Sequence, residues 1–393
     1  MLYKSQGRYA DAEPLYNRAL YIREKAFGFN NAAVAESLNN LGTLYYVQGR
    51  YAEAEPLLKR SLDTRIWTLG PEHPEVSASL SNIAALCLKE GRYSDAEDLF
   101  KRSLAIAEKT LGPSHADVAQ SLNNLASLYE DQGRYAEAEP LYARSIQIYE
   151  KTLGPSHPEF GLALNNLGSL YSREGRLADA ESLFKRSLSI REKALGPKHP
   201  DVAQSFNNLA QIYNRQGRYG DAKSLYQQAL AIRERTLNPN HTDLAQSLNN
   251  LAALYQDEGR YGEAEQLYKR SVEIYERALG HDHPALATSL NNLAHFYHSQ
   301  GRYADQEPLI RRGLAIRENS LGHDHPDVAV SLNNLAELYA DQERYAGAEQ
   351  LYKRSLEIRQ KGARIDPYDI AVSLNNLAEL YRSEGRYADA ERL

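Results

Sequence analysis

Apolar residues recur along this chain at helical spacing, in blocks that themselves return every 42 residues. In the copy that begins at Ala119, Leu122, Leu125, Ala126 and Tyr129 fall at i, i+3, i+4 and i+7. That spacing lays one apolar stripe along an amphipathic helix, designated helix A. Gly133 follows, a residue suited to the left-handed position that ends a helix. The stripe resumes with Ala138, Leu141, Tyr142, Ser145, Ile146 and Tyr149, predicting a helix B of about 16 to 19 residues. Glu55/Lys59, Glu97/Lys101, Glu181/Lys185, Glu265/Lys269 and Glu349/Lys353 stand at i, i+4 within it, acid before base, the favourable order on a helix. Pro14, Pro56, Pro140 and Pro308 lack an N–H and are expected in the first turn of helix B, which would then start close to Ala52 or Ala136.

The same period governs the polar positions. An Asn doublet recurs at Asn39/Asn40 and from Asn123/Asn124 to Asn375/Asn376, and only Ser81-Asn82 departs from it. A Gly-Arg-Tyr turn follows ten residues later, opening with Gly7; Leu177 replaces its Tyr in one copy and Glu343 its Gly in another. An isolated helix pair would expose most of its stripe, so each copy must bury it against the next, as in a solenoid. The expected organisation is a cut copy over 1–34, eight complete repeats over 35–370 and a cut copy over 371–393, in one continuous solenoid. Both ends fall inside a repeat and neither carries a polar capping helix, which suits a fragment of a longer array or end-to-end self-association.

Composition narrows the class. The chain of 393 residues is 42% hydrophobic and 25% charged, with a net charge of −6. No stretch approaches the roughly 18 apolar residues of a membrane span, and the N-terminus lacks the apolar core of a secretory signal. The balance of charges, mildly acidic and mixed in sign, argues against a nucleic-acid partner, which would call for a basic stripe. The single cysteine, Cys87, excludes an intrachain disulfide and a multi-cysteine zinc site. Taken together these features point to the cytoplasm.

One copy carries Leu164, Leu167, Gly168, Tyr171, Ala180 and Phe184 at the spacing of the tetratricopeptide repeat, with Leu in place of the initial Trp. That repeat usually has about 34 residues, and the excess here lies at the end of helix B and in the following loop, as in Glu150–Pro158. A 42-residue unit with Ser-Leu-Asn-Asn-Leu-Ala in helix A resembles the repeats of kinesin light chain and similar arrays in bacterial multidomain proteins. The resemblance covers the whole chain. It implies an all-α, right-handed superhelical α-solenoid of stacked antiparallel helix pairs, a protein-interaction module without catalysis or cofactor. It also implies a concave groove that holds short peptides rich in aromatic and acidic residues. No heptad coiled-coil segment is present, so the motor role is not carried over.

In such a stack the arc of helix A opposite its apolar stripe would face the groove. Gln120, Asn123, Asn124, Ser127, Glu130 and Asp131 occupy it. The doublet barely changes between copies while the other four positions vary, a pattern suited to a peptide groove: amides can hold any backbone, and varying neighbours can read side chains. The candidate residues are Asn123, Asn124, Asn165, Asn166, Asn207, Asn208, Asn249 and Asn250, with Gln204, Gln211 and Asn214. Arg173 and Arg215 are basic at one site in consecutive copies and form the candidate anchor for an acidic residue of the partner. The bland alternatives are that the amides tie adjacent helices together and that the two arginines pair with Asp131 and Asp257.

Other constellations lead away from chemistry. His73, His115, His157, His199, His241, His283 and His325 share one loop position a repeat apart, far too widely spaced for a zinc site, and are expected to serve the loop and the helix start. His295 and His298 could share a metal only with a third ligand that the sequence does not supply. Cys87 replaces a core Tyr and reads as a small buried hydrophobe. Trp67, at a position that is Lys in other copies, reads as partly exposed. No Walker loop, dinucleotide fingerprint, HExxH or GxSxG motif is present, and no catalytic, cofactor or metal residues are assigned. The leading expectation is a binding scaffold; a sensor or substrate-binding arm of a larger protein and a self-assembling array are the alternatives.

Overall fold

The computed structural model describes residues 8–361 and 367–393; Gly7 and the first residues of the leading cut copy lie outside them. Among the described residues every regular element is a helix, and no strand occurs. A helices such as Ala116–Asp131, Pro158–Arg173, Pro200–Arg215 and Thr242–Asp257 alternate with B helices such as Tyr93–Leu111, Tyr135–Thr152, Leu177–Leu195 and Tyr219–Thr236. The all-α expectation and the paired helices are both met.

Local chemistry sets the boundaries. Each of the seven repeated histidines accepts a hydrogen bond at Nδ1 from the backbone N–H two residues on, as in Asp117 N–H to His115 and Glu159 N–H to His157 at 3.2 Å. This occupies one of the unpaired donors that open every helix. Helix A ends where Gly49, Gly133 and Gly217 take φ of 70°, 69° and 75°, and the following arginine N–H closes back on the helix, as Arg134 does on Tyr129 at 2.8 Å. Helix B then begins at the next residue, Tyr51 or Tyr135.

The prolines require a correction. Pro56 is the sixth residue of Tyr51–Leu69 and Pro140 the sixth of Tyr135–Thr152, so they lie in the second turn rather than the first. The Pro56 ring leaves the Ala52 carbonyl without its helical donor. Both residues are exposed, so that carbonyl is on the solvated side of the helix, where the missing bond costs little.

Packing follows the repeat. Ser61, Ser145, Ser187, Ser271 and Ser355 in the B helices each donate to a backbone carbonyl of their own helix A, with separations of 2.6–2.9 Å, and all are fully buried. The turn arginine does two jobs, one within its copy and one between copies. Its guanidinium lies 3.6–4.2 Å from the ring of the preceding helix A tyrosine, as in Arg134 on Tyr129 and Arg176 on Tyr171. It also pairs with a glutamate of the previous helix B, as Arg50 does with Glu13 at 2.8 Å and Arg134 with Glu97 at 2.7 Å.

The chain divides into two compact units, Met1–Lys89 with Ser94–Ile274, and Glu90–Tyr93 with Tyr275–Leu393. In the first, Val118, Leu122, Ile148, Phe160 and Leu164 meet in one buried cluster that joins neighbouring copies. In the second, Val328, Ala329, Leu332 and Ile358 form a buried cluster between the two helices of one copy. Cys87 is fully buried, whereas Trp67 is 78% exposed, more than expected for a partly covered ring.

Candidate functional site

The Asn doublet splits between two environments. Asn123, Asn165, Asn207 and Asn249 are buried at 4%, 7%, 3% and 9% exposure, while Asn124, Asn166, Asn208 and Asn250 are half-buried. The expectation that both amides lie on the open arc is therefore corrected. Adjacent residues differ by about 100° around a helix. One amide of each doublet thus turns toward the neighbouring A helix while the other looks outward.

Some of these amides link copies. Asn208 Nδ2 donates to Asn165 Oδ1 of the preceding copy at 2.8 Å, and Asn82 Nδ2 donates to Asn39 Oδ1 at the same distance. Asn207 Nδ2 donates forward to Ser247 Oγ at 3.0 Å. The tie between helices that the sequence reading weighed against a ligand role is thus real for these members. It does not exhaust the row. Asn123 Oδ1 and Asn207 Oδ1 in the first unit, and Asn291 Oδ1 and Asn333 Oδ1 in the second, are buried and accept no hydrogen bond among the described residues. Buried acceptors are seldom left this way.

The varying positions fall into three states. Gln204 is committed, donating to Asn208 Oδ1 at 2.9 Å and accepting from Arg233 at 2.7 Å. Asn214 donates to Asp257 Oδ2 at 3.1 Å while its own Oδ1 has no donor. Gln211 is exposed.

The two arginines differ from each other. Arg173, half-exposed, meets its own copy's predecessor: Nε lies 3.0 Å from Glu130 and Nη2 lies 3.3 Å from Asp131. Glu130 is buried and also accepts from the Tyr142 hydroxyl at 2.8 Å. Burial raises its pKa above the usual carboxylate range, against the opposing effects of Tyr142 and Arg173. Arg215 instead donates to the Ser172 carbonyl and, at 2.9 Å, to Ser172 Oγ. Among the described residues no carboxylate pairs with it, Asp257 having gone to Asn214. So Arg173 carries its own counter-ions and Arg215 does not.

His298 lies 3.5 Å from Asp341 while His295 is exposed, and among the described residues no group of three or more ligating side chains gathers for a metal. The turn arginines and their tyrosine stacking were not singled out from the sequence, although Gly-Arg-Tyr itself was; the constant ten-residue offset from the doublet was the available signal.

A family profile described as tetratricopeptide repeat matches residues 1–66, 34–109, 75–151, 117–193, 159–235, 243–305 and 286–361, and a second profile of that description matches 370–393. Among solved structures, BtubC (BKLC) from P. vanneervenii is 23% identical, covering 60% of this chain and 92% of that one, with a TM-score of 0.47. The nearly identical TPR-like repeats of a kinesin light chain named from Podosopora anserina are 29% identical, covering 52% of this chain and 98% of theirs, with a TM-score of 0.43. A single-substitution variant of those repeats gives 29%, 52%, 97% and 0.44. No curated protein matches the chain.

Proposed function

The chain belongs to the tetratricopeptide-repeat family, generally a family of protein-interaction scaffolds, and from that premise we propose that it holds an extended segment of a partner protein along its A helices. The observation that carries this reading is the row of half-buried, outward-facing amides, Asn124, Asn166, Asn208 and Asn250, one to each successive copy. Packed helices lie about 8–10 Å apart and an extended chain rises about 3.3 Å per residue. About three residues of such a segment would therefore span one copy. Each hydrogen bond contributes only about 0.5–1.5 kcal/mol, so several are needed together. We assign the reading of partner side chains to the varying positions, exposed Gln211 foremost.

The anchor for an acidic residue of the partner is assigned to Arg215 rather than shared equally with Arg173. A partner carboxylate at Arg173 would have to compete with Glu130 and Asp131; at Arg215 it completes a charge that only serine oxygens now meet. We place this work in the cytoplasm, in keeping with the lone buried thiol of Cys87; no described helix is long and apolar enough to cross a membrane.

A peptide-library screen on the whole chain tests the reading. Selected peptides should lose at least tenfold in affinity on Arg215→Ala and on Asn166→Ala, and less on Arg173→Ala. Peptides that bind all three variants as tightly as the parent would refute the groove.

A further inference from the structure

One column of helix B is arginine in six copies: Arg23, Arg65, Arg191, Arg233, Arg317 and Arg359. All six side chains sit alike. Nη1 donates to the backbone carbonyl ten residues on and to the serine hydroxyl fourteen on, as Arg191 does to Asp201 and Ser205, and Arg233 to Asp243 and Ser247. Nη2 of Arg233 and of Arg317 also reaches back to Gln204 and Thr288 on the helix A of its own copy. Tyr149 and Tyr275 stand at this column in two further copies.

The remaining copy has Ala107. The acceptors that would receive its guanidinium are still present as the Asp117 carbonyl and Ser121 Oγ, while Ala78 stands at the Gln204 position. Ser121 donates to the Asp117 carbonyl at 3.0 Å. Ser205 does the same at 3.3 Å while also accepting from Arg191, so the geometry leaves the hydroxyl able to accept. Ser81 also replaces the first Asn of the doublet in this copy alone. Where these three side chains are short, a cavity of about 580 Å³ opens between helices Pro74–Lys89 and Ala116–Asp131, floored by Phe100, Ala107 and Leu111. Asp117 is the only charged residue in its lining, and Ala85, Leu88 and Ser127 on its wall belong to the columns that vary along the A helices.

We propose that this cavity is a receptor for the guanidinium of an arginine side chain on the partner segment, which completes from outside the arrangement that six copies complete from within. The proposal rests on the extended-segment reading for the origin of that side chain and on the repeat itself for its chemistry. The apolar wall suits the methylene stem. A guanidinium is planar, keeps its charge and donates in a fixed fork, whereas an ammonium is a compact, strongly hydrated point charge without that fork. Asp117 as the one charged residue of the lining, with no lining cation, favours a positively charged guest over a neutral isostere.

The test uses blocked single residues: N-acetylarginine methylamide, with the lysine and citrulline analogues, titrated into the whole chain by calorimetry and by chemical-shift mapping. The arginine probe should bind at least tenfold more tightly than either analogue and shift resonances around Ser121 and Ala107. Ala107→Arg should abolish that binding, because the new side chain takes the seat as its six counterparts do; Ser121→Ala should weaken it severalfold while leaving the helical circular dichroism unchanged. No binding of the arginine probe, equal binding of the lysine probe, or binding that survives Ala107→Arg overturns the proposal. The two readings fail separately. Library peptides that lack arginine yet depend on Arg215, with no binding of the probe, would keep the scaffold and remove the seat. Selective probe binding lost in Ala107→Arg, with no peptide selected from the library, would keep the seat and remove the scaffold reading.

Discussion

Arg233→Ala should loosen one junction of the array without unfolding the rest. Arg233 is 1% exposed and makes bonds of 2.6 Å to the Asp243 carbonyl, 2.8 Å to Ser247 Oγ and 2.7 Å to Gln204 Oε1. Truncation strips these three acceptors of a charged donor, and buried acceptors left unmade cost about 1–3 kcal/mol each. Loss of the two buried methylenes at Cγ and Cδ adds about 0.8 kcal/mol each. Against this, the guanidinium regains hydration, whose loss costs several kcal/mol per buried ion. The balance is a destabilisation of about 2–4 kcal/mol, overlapping the roughly 3–5 kcal/mol that follows when a buried ion pair loses one member. Solenoid stability is a sum of local terms, so the readout must be local. Amide exchange in Thr242–Asp257 should accelerate by roughly 30- to 700-fold, with far smaller changes in Pro74–Lys89. A change below about threefold in Thr242–Asp257, with unchanged structure, would refute the view that this column ties copies together.

Further predictions concern the repeat chemistry. Glu343 stands in the glycine column with φ of 59°; Glu343→Gly should relieve about 1 kcal/mol of left-handed strain, seen as slower exchange at the ends of Pro326–Asp341 and Tyr345–Lys361. Arg134→Gln removes both the stacking on Tyr129 and the pair with Glu97, and should cost about 1–2 kcal/mol at that junction, with a dependence on salt that Tyr129→Phe lacks. Burial would raise the Glu97 pKa, but hydrogen bonds from Lys101, Arg134 and Tyr129 outweigh it and bring it to about 2; Glu349, held first by Arg386 and then by Lys353, also lies at about 2. Between the usual carboxylate value of about 4.3 and 2, the unfolded chain binds more protons than the folded one, so stability should fall across that interval; Glu97→Gln should flatten the fall in an acid titration followed by circular dichroism. Burial lowers the His241 pKa, with Arg233 acting in the same direction and Asp243 against it. Stability should therefore decline as pH drops below about 6.5, and His241→Asn, which keeps a capping oxygen, should remove that part of the decline.

The fold was legible because solenoid packing repeats the same local constraints. Helix A, helix B, the glycine stops and the histidine caps each follow from spacing and from the unpaired groups at helix ends. The site was only partly legible. Placing Asn123 and Asn124 on a common arc neglected the neighbouring copy, which buries the first amide at Asn123, Asn165, Asn207, Asn249 and Asn333. The proline positions were misplaced because an exposed carbonyl such as that of Ala52 tolerates a missing donor, so proline does not mark the first turn here. Pairing of Arg173 with Glu130 spans copies, and no spacing rule within one helix reveals it. Arg215 and its Ser172 partner are 43 residues apart, one residue more than a repeat, for the same reason.

Departures from the period carry different weight in different columns. A position free to vary in every copy gives no reference for any one of them, which is why Gln211 and Asn214 suggest only a surface that reads side chains. The arginine column provides that reference: its acceptors and geometry repeat, so the chemistry missing at Ala107 is defined by what remains at Asp117 and Ser121. A cavity alone would admit any small group. A cavity whose acceptors are satisfied by guanidinium in six equivalent places favours one class of guest. The shortening of Ser81 and Ala78 in that same copy enlarges the entrance where the A helices meet the partner. If Ala107 were only a neutral truncation, refilling the seat by Ala107→Arg would leave partner binding untouched. If the seat receives the partner, the same substitution should tighten the junction between the two A helices while weakening the complex, an opposition of signs that a purely structural role does not produce.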